Sequence, residues 1–166
     1  MSNYNGTVRE YYADSKFGFS FFYPKIRNWT IRVKQPGFIM FVNKLTMATF
    51  AVMASQPHEA IADVHDLGIQ VELVKSLVGS MKHVLPNASN FSFISKENII
   101  LPQGQLKGFQ VVFDFKLPQQ SMVGKCVFYA DKQFLYMLLA TSKEGYFRAE
   151  NEVFFNPAIT SFSLVV

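Results

Sequence analysis

The first third of the chain alternates between apolar and polar positions. Residues 17–23 form an aromatic run that ends at Pro24, and residues 28–34 place apolar and polar side chains in turn. A period of two is typical of a strand with one buried face. Two further apolar stretches predict strands over residues 38–43 and 46–54, joined by a short turn.

The hydrophobic period then lengthens to between three and four residues. This spacing over residues 64–85 predicts an amphipathic helix of about six turns. Asp63 is the predicted N-cap residue, Asp66 lies in the first turn, and Pro86 ends the helix. The predicted apolar face consists of Val64, Leu67, Val71, Val74, Val78, Met81 and Leu85.

The second half of the chain returns to a strand pattern before a helical end. Strands are predicted over residues 90–101, 107–117, 122–130 and 133–142. Helical residues then follow from 144 to 154.

The last short helix is predicted to be capped by Asn156 and opened by Pro157. Because short loops join most neighbouring strands, the sheet is predicted to be mainly antiparallel. The sequence therefore predicts an α+β fold in a single domain over residues 1–166, with residues 1–15 as a polar lead-in.

Composition supports a folded domain with an aromatic core. Apolar residues make up 49% of the chain, charged residues 17%, and 18 residues are Phe, a balance that excludes a disordered chain. Cys126 is the only cysteine, which excludes an internal disulfide and a cysteine-built zinc site. No apolar run approaches the roughly 20 residues of a membrane-spanning helix.

Positive charge is concentrated near the N-terminus. The net charge is +4, and residues 1–54 carry seven basic and two acidic side chains. Lys25, Arg27, Arg32 and Lys34 form the densest basic group, and Arg32 and Lys34 are predicted to share one face of a strand. This group contains fewer basic residues than a nucleic-acid-binding face normally carries, so no nucleic-acid partner is predicted. Two interpretations stay open, a charged edge strand that blocks aggregation and a docking surface for an acidic protein or lipid headgroups.

Motifs of catalysis and metal binding are weak or missing in the sequence. It contains neither a Gly-x-Ser-x-Gly turn nor a Gly-x-Gly-x-x-Gly loop, so no catalytic residue and no cofactor is predicted. Asp63, His65 and Asp66 are the densest group of possible metal ligands. On a helix His65 points about 100° away from Asp66, so a solvated helix start is the preferred interpretation. Whether the chain is an enzyme stays open, with the balance against it.

Both ends of the chain resemble one family. Tyr12, Asp14, the aromatic run 17–24 and Trp29 resemble the opening of the PsbP-like superfamily, which has an aromatic strand, a Tyr-Pro stop and a following Trp. The hairpin around Asp131 and the closing residues are similar as well. These closing residues run from Ala149-Glu150 through Phe155 and Pro157 to Ser161-Phe162.

The superfamily includes extrinsic subunits of the photosynthetic oxygen-evolving complex, bacterial DcrB-like envelope lipoproteins and the Ran-binding Mog group. The resemblance implies an α/β/α sandwich with an antiparallel sheet and a non-enzymatic binding or assembly role. Within the superfamily, the chain most resembles the DcrB-like bacterial branch. That branch implies a cell-envelope or periplasmic protein whose signal has been removed, with a cytoplasmic protein as the alternative.

Three functions are therefore expected. The first is a binding or assembly module of the bacterial cell envelope, with a protein partner that is acidic or membrane-associated. The second is a carrier or enzyme for a small apolar ligand, with a pocket between the sheet and the long helix. The third is a cytosolic regulator that binds a nucleotide-binding protein.

Overall fold

The computed structural model of the chain describes residues 8–101 and 106–164. The first seven residues of the predicted lead-in lie outside the described residues. The strands are β1 Arg9–Asp14, β2 Phe19–Pro24, β3 Trp29–Gln35, β4 Phe38–Asn43, β5 Thr49–Ser55, β6 Ser89–Leu101, β7 Leu106–Leu117, β8 Gln120–Ala130, β9 Leu135–Lys143 and β10 Ser163–Leu164. Helix α1 spans Leu67–Val84, and the C-terminal helical segment comprises a 3-10 turn Glu144–Tyr146, α2 Phe147–Glu150, a π turn Asn151–Phe155 and α3 Asn156–Thr160.

Two antiparallel sheets organise these strands. The large sheet has the order β3-β4-β5-β9-β8-β7-β6, and the small sheet has the order β1-β2-β10. Every pairing is antiparallel, so the predicted α+β fold with an antiparallel sheet is confirmed. Strands β3 and β6 form the edges of the large sheet.

Strand β1 corrects the predicted lead-in. The sequence predicts no element over residues 1–15, yet residues 9–14 pair along the whole of β2. The Tyr12 ring lies 5.6 Å from the Phe21 ring across this pairing. Polar and aromatic side chains are mixed along this strand. The segment therefore lacks the clear apolar alternation from which a strand is predicted.

Asp14 explains why the Tyr-x-Asp opening is structural. Its carboxylate is buried and accepts hydrogen bonds from the Phe17 backbone N–H at 2.9 Å and the Gly37 backbone N–H at 2.7 Å. Two turns far apart in sequence are thereby tied together. Hydrogen bonds from backbone N–H groups offset the cost of burying a carboxylate.

One face of the large sheet is covered by the small sheet and the C-terminal helical segment. Phe21 from β2 and Phe154 from the C-terminal segment pack against Phe50 of β5, with ring centroids 6.0 and 5.9 Å from it. Other aromatic side chains fill the remaining space. We call this the closed face.

Helix α1 covers the opposite face, which we call the helix face. Its buried side chains, including Leu77 and Met81, pack on residues of β7, β8 and β9 such as Phe113, Phe128 and Leu139. The core cluster beneath α1 contains no side chain from β3 or β4. The helix therefore covers only part of its face.

Two details of α1 differ from the prediction. Asp66, rather than Asp63, is the N-cap residue, and its Oδ1 accepts a hydrogen bond from the Ile69 N–H at 3.1 Å. The buried face is also rotated, because Leu67 is 78% exposed and Val71 is 54% exposed. Of the predicted face, Val64 and Met81 are buried, and Gln70, Leu73 and Leu77 are buried in addition.

Gln70 is the reason for the misplaced helix face. Because Gln70 is polar, the pattern of apolar residues does not reveal that its position belongs to the buried face of the helix. In the fold its amide donates to the carbonyl oxygen of Val64 at 2.9 Å and to Oδ1 of Asn98 at 2.7 Å. A polar side chain is tolerated in a buried position when such partners satisfy it.

The C-terminal segment is one continuous helical stretch, which corrects the cap predicted at Asn156. Asn156 has helical dihedral angles and makes no side-chain capping bond. Its backbone N–H donates to the Asn151 carbonyl oxygen in a π turn. Pro157 has no N–H to donate and would distort a regular helix, and the wider π turn accommodates it.

Candidate functional site

A cleft of about 400 Å³ opens where α1 ends. Val84 and Leu85 at the end of the helix form one wall, and strands β4 and β5 form the floor. The turn between β7 and β8 closes the third side. The lining residues are Arg32, Met40, Val42, Met47, Thr49, Val84, Leu85, Leu117, Gln120, Met122 and Thr141.

The floor of the cleft is mainly apolar but contains two hydroxyl groups. Thr49 and Thr141 are cross-strand partners, and their hydroxyl oxygens hydrogen-bond to each other. Because one hydroxyl donates and the other accepts in this bond, only one O–H of the pair stays available to an occupant. Met40, Met47 and Met122 supply flexible, polarisable side chains that adapt to the shape of an apolar occupant.

Arg32 reaches the mouth of the cleft because strand β3 contains a bulge. The register of β3 on β4 shifts between Ile31 and Val33, which leaves Arg32 without a paired position. A bulge redirects the side chains around it. Arg32 is exposed, and it makes no ion pair within residues 8–101 and 106–164.

The same bulge corrects the predicted pairing of Arg32 and Lys34 on one face. Lys34 pairs with Ile39, a residue of the closed-face core, and its Nζ lies 5.8 Å from the centre of the Tyr12 ring. Arg32 instead lines the cleft together with Met40. The two charges therefore lie on opposite sides of the sheet.

The remaining basic residues are divided as well. Lys25 forms an exposed ion pair with Glu10 at 3.3 Å, and Arg27 lies exposed before β3. The structure thus spreads the predicted group of four around one edge strand without gathering it into a single patch. Since β3 is an edge of the large sheet, its charges lie where they would hinder strand pairing between molecules.

A second cation lies on the same face of the sheet as the floor of the cleft. Lys143 is paired with Met122 across β8 and β9, and paired residues direct their side chains to the same face of a sheet. The last turn of α1 also carries Lys82. No acidic residue of the described ranges lines the cleft.

Asp63, His65 and Asp66 have separate structural partners. Asp63 Oδ1 lies 3.6 Å from Lys107 Nζ and accepts a hydrogen bond from the His65 backbone N–H, which lowers the pKa of its carboxyl. The Nε2 of His65 lies 3.0 Å from the Gly108 carbonyl oxygen, so this nitrogen carries the proton and donates it. Asp66 caps α1. The structure does not bring the three side chains together around one point.

Two charged groups connect the C-terminal segment with the large sheet, the buried Lys125 of β8 and the half-buried Glu150 of α2. Lys125 donates from Nζ to Oδ1 of Asn156 at 2.9 Å, and burial lowers the pKa of its amine. Glu150 accepts from the Asn43 amide and the Thr46 hydroxyl, and burial raises the pKa of its carboxyl. Both groups link the segment to the large sheet.

The cleft was not predicted residue by residue from the sequence. Its methionines come from β4, from the turn before β5 and from β8, and nothing in their spacing connects them. Only the general expectation of a pocket between the sheet and the long helix anticipates it. Arg32 is the one lining residue that the sequence analysis also named as a candidate binding residue. Its position at the cleft depends on a bulge that the sequence pattern does not predict.

Comparison with known protein families gives one match over nearly the whole chain. A family model described as PsbP-like protein matches residues 2–164. Among curated proteins, no match was found. Within the described residues, no helix is long and apolar enough to cross a membrane.

Solved structures share the fold at low sequence identity. Cyanobacterial PsbP (CyanoP) from Synechocystis sp. PCC 6803 is 14% identical with a TM-score of 0.66, and the alignment covers 99% of this chain and 96% of that one. LpqN of Mycobacterium tuberculosis, described as involved in cell envelope biogenesis, is 10% identical with a TM-score of 0.60 and coverages of 99% and 88%. The Pseudomonas aeruginosa protein PA94, described as a putative regulator, is 9% identical with a TM-score of 0.54 and coverages of 92% and 94%.

Proposed function

The chain belongs to the PsbP-like family, and from that premise we propose that it is a non-enzymatic binding module of the bacterial cell envelope. Its recognition site is the cleft at the end of α1. The envelope assignment is suggested by the description of LpqN, which shares the fold. The proposed envelope assignment includes membership of the DcrB-like branch and an extracytoplasmic location.

The observation that carries this proposal is an open cleft lined mainly by apolar side chains. Among the residues that the structure describes, Arg32 is its only charged lining residue. General acid–base or nucleophilic catalysis requires a titratable or nucleophilic group beside the substrate. The two hydroxyls in the lining bond to each other, and no histidine, cysteine or carboxylate of the described residues lines the cleft. This chemistry favours binding over catalysis.

Capture from cell extracts tests the proposal. The immobilised protein is incubated with solubilised envelope and, separately, with cytosolic extract of the bacterium that carries the gene, and bound molecules are identified by mass spectrometry. We expect specific capture from the envelope extract alone. Specific capture only from the cytosolic extract would contradict the envelope assignment.

Two tryptophan variants locate the recognition site in the same assay. Met40→Trp fills the cleft from its half-buried floor, whereas Val71→Trp adds the same ring to the exposed side of α1. We expect Met40→Trp to abolish capture and Val71→Trp to retain it, with circular dichroism verifying that both fold. Equal capture by both variants would place the recognition site elsewhere.

The basic residues before β3 are proposed to assist at the same edge of the sheet. Lys25 and Arg27 are exposed and would attract an acidic or membrane-associated partner toward the cleft. The double substitution Lys25→Gln and Arg27→Gln should slow association and flatten its salt dependence, measured by surface plasmon resonance with the captured partner. An unchanged association rate at low salt would remove these residues from the site.

A further inference from the structure

We infer that the cleft binds one single-chain amphiphile with an anionic head, with the alkyl chain on the methionine-lined floor and the head at Arg32. This inference rests on the proposed function, because it takes the cleft to be the recognition site. It adds the chemical class of the occupant.

The floor and walls determine the apolar part of the ligand. Seven of the eleven described lining residues are Met, Val or Leu, and the hydroxyls of Thr49 and Thr141 hydrogen-bond to each other. A ligand portion rich in hydrogen-bonding groups would lose more bonds to water than this lining can replace. An alkyl chain has no hydrogen bonds to water to lose, and burial of its apolar surface is favourable. The volume of about 400 Å³ lies in the range of about 300–1,000 Å³ that small-molecule sites occupy.

The mouth of the cleft determines the head. Arg32 presents a guanidinium group that has no ion-pair partner in the part of the chain that the structure describes. Its planar donors match a carboxylate or phosphate. Lys143 lies on the same face, and none of the described acidic residues lines the cleft. A cationic head would therefore meet the positive charge of Arg32 without an acid to offset it, and a neutral head would leave Arg32 unused.

The shape of the site favours a single extracted molecule over a bilayer surface. The apolar lining is recessed between the end of α1, the floor of β4 and β5, and the turn that joins β7 to β8. Met122 is almost fully buried at 4% exposure and could not reach the interior of a bilayer. A single alkyl chain can enter the recess, whereas a membrane would touch only its rim.

Methionine methyl NMR provides a direct test. The protein is labelled with [methyl-13C]Met and titrated with octanoate, decanoate and laurate below their micellar concentrations. Shifts should be largest at Met40, Met47 and Met122. The other core pair, Met53 and Met137, lies away from the cleft and should hardly respond.

Chain length and stoichiometry sharpen this test. Saturation should occur at one molecule per chain. Each added methylene should tighten binding about four-fold, as expected for burial of one CH₂ group. Binding that appears only above the micellar concentration would overturn the inference.

A matched pair of charge variants tests the head. Arg32→Gln should weaken decanoate binding about two- to five-fold, the effect expected for a solvent-exposed ion pair. Lys34→Gln removes the same charge from the same strand but on the closed face, and should leave the affinity nearly unchanged. Neither variant should affect binding of monodecanoylglycerol, which has a neutral head. Equal effects of the two variants would overturn the assignment of the head to Arg32.

The outcomes separate this inference from the proposed function. If the fatty acids leave the methionine signals unchanged while Met40→Trp still abolishes capture from the envelope, the cleft recognises another molecule and only the amphiphile is excluded. If neither effect occurs, both proposals are wrong. Co-sedimentation with phosphatidylglycerol vesicles without a response to monomeric laurate would assign the surface to a membrane and would also overturn the inference.

Discussion

The two faces of the large sheet are packed in different ways. The closed face is sealed by aromatic rings from the small sheet and the C-terminal segment, with Phe21, Phe50 and Phe154 among its fully buried members. The helix face is covered by a single helix of 18 residues, and beyond its end the floor is lined by methionines. The difference suggests that the closed face maintains the fold, while the part of the helix face beyond the end of α1 keeps space for a ligand.

The chemistry of the side chains follows this division. Aromatic rings are rigid and interlock in few arrangements, so they specify one packing. Methionine has more rotatable bonds and fills irregular space without fixing it. Rings such as Phe113 and Phe128 also pack the part of the helix face that α1 covers. The methionine-lined floor therefore differs from both aromatic regions because it lies beyond the end of the helix.

The largest predicted effect is on the closed face. Phe154 is fully buried, and its ring stacks on Trp29 with centroids 4.0 Å apart. Phe154→Ala should reduce the free energy of unfolding by about 3–5 kcal/mol, because a cavity remains where the ring was. Urea denaturation followed by circular dichroism measures this.

Phe22→Ala is the matched control for that substitution. Phe22 lies on the outer side of the small sheet, 44% exposed, and touches the ring of Tyr11 at 5.0 Å. Its removal should cost less than about 1 kcal/mol. Comparable losses for both variants would mean that the closed face does not carry the stability assigned to it.

A second prediction concerns the dense part of the helix face. Gly124 of β8 lies directly under the Phe113 ring, and a Cβ atom there would collide with that ring. Gly124→Ala should reduce the free energy of unfolding by about 1–3 kcal/mol through overpacking.

Gly79→Ala adds the same methyl group at a position without neighbours within 4 Å. Because Gly79 lies inside α1, this change should stabilise the protein by about 0.5–1 kcal/mol. Thermal unfolding should therefore shift in opposite directions for the two variants. A stabilising Gly124→Ala would show that the region under α1 is as loosely packed as the cleft.

The sequence predicts the elements of the fold better than it predicts the site. Strand and helix periods depend on local spacing, and the predicted strands over residues 38–43 and 107–117 agree with β4 and β7 within one residue. The order of strands in the two sheets and the cover on each face depend on contacts between distant residues. Local spacing carries no information about those contacts.

The errors around the site have the same origin. The rotated face of α1 follows from Gln70, whose hydrogen-bond partner Asn98 is distant in sequence. The separation of Arg32 from Lys34 follows from a bulge that strict alternation cannot foresee. The cleft exists because α1 stops before it covers β4, and the length of a helix does not state which strands lie beneath it.

A third prediction addresses the start of α1. Asp66→Ala removes the N-cap bond to Ile69 and should cost about 1 kcal/mol, measured by urea denaturation. Asp66→Asn keeps an acceptor at the cap and should retain most of that stability. If the two substitutions cost the same, the bond at the N-cap does not contribute, and the helix face is held by packing alone.

The smallest predicted effect is in the cleft itself. Met47 is 55% exposed and has a backbone φ of 61°, a strained value that alanine would share with methionine. Met47→Ala therefore changes only the side chain, and the free energy of unfolding should stay within about 0.5 kcal/mol of the parent. Binding of decanoate should nevertheless weaken, because part of the apolar lining is lost. A loss of stability above about 1 kcal/mol would place Met47 in the core that maintains the fold. The cleft would then not be a region kept separate from the residues that stabilise the protein.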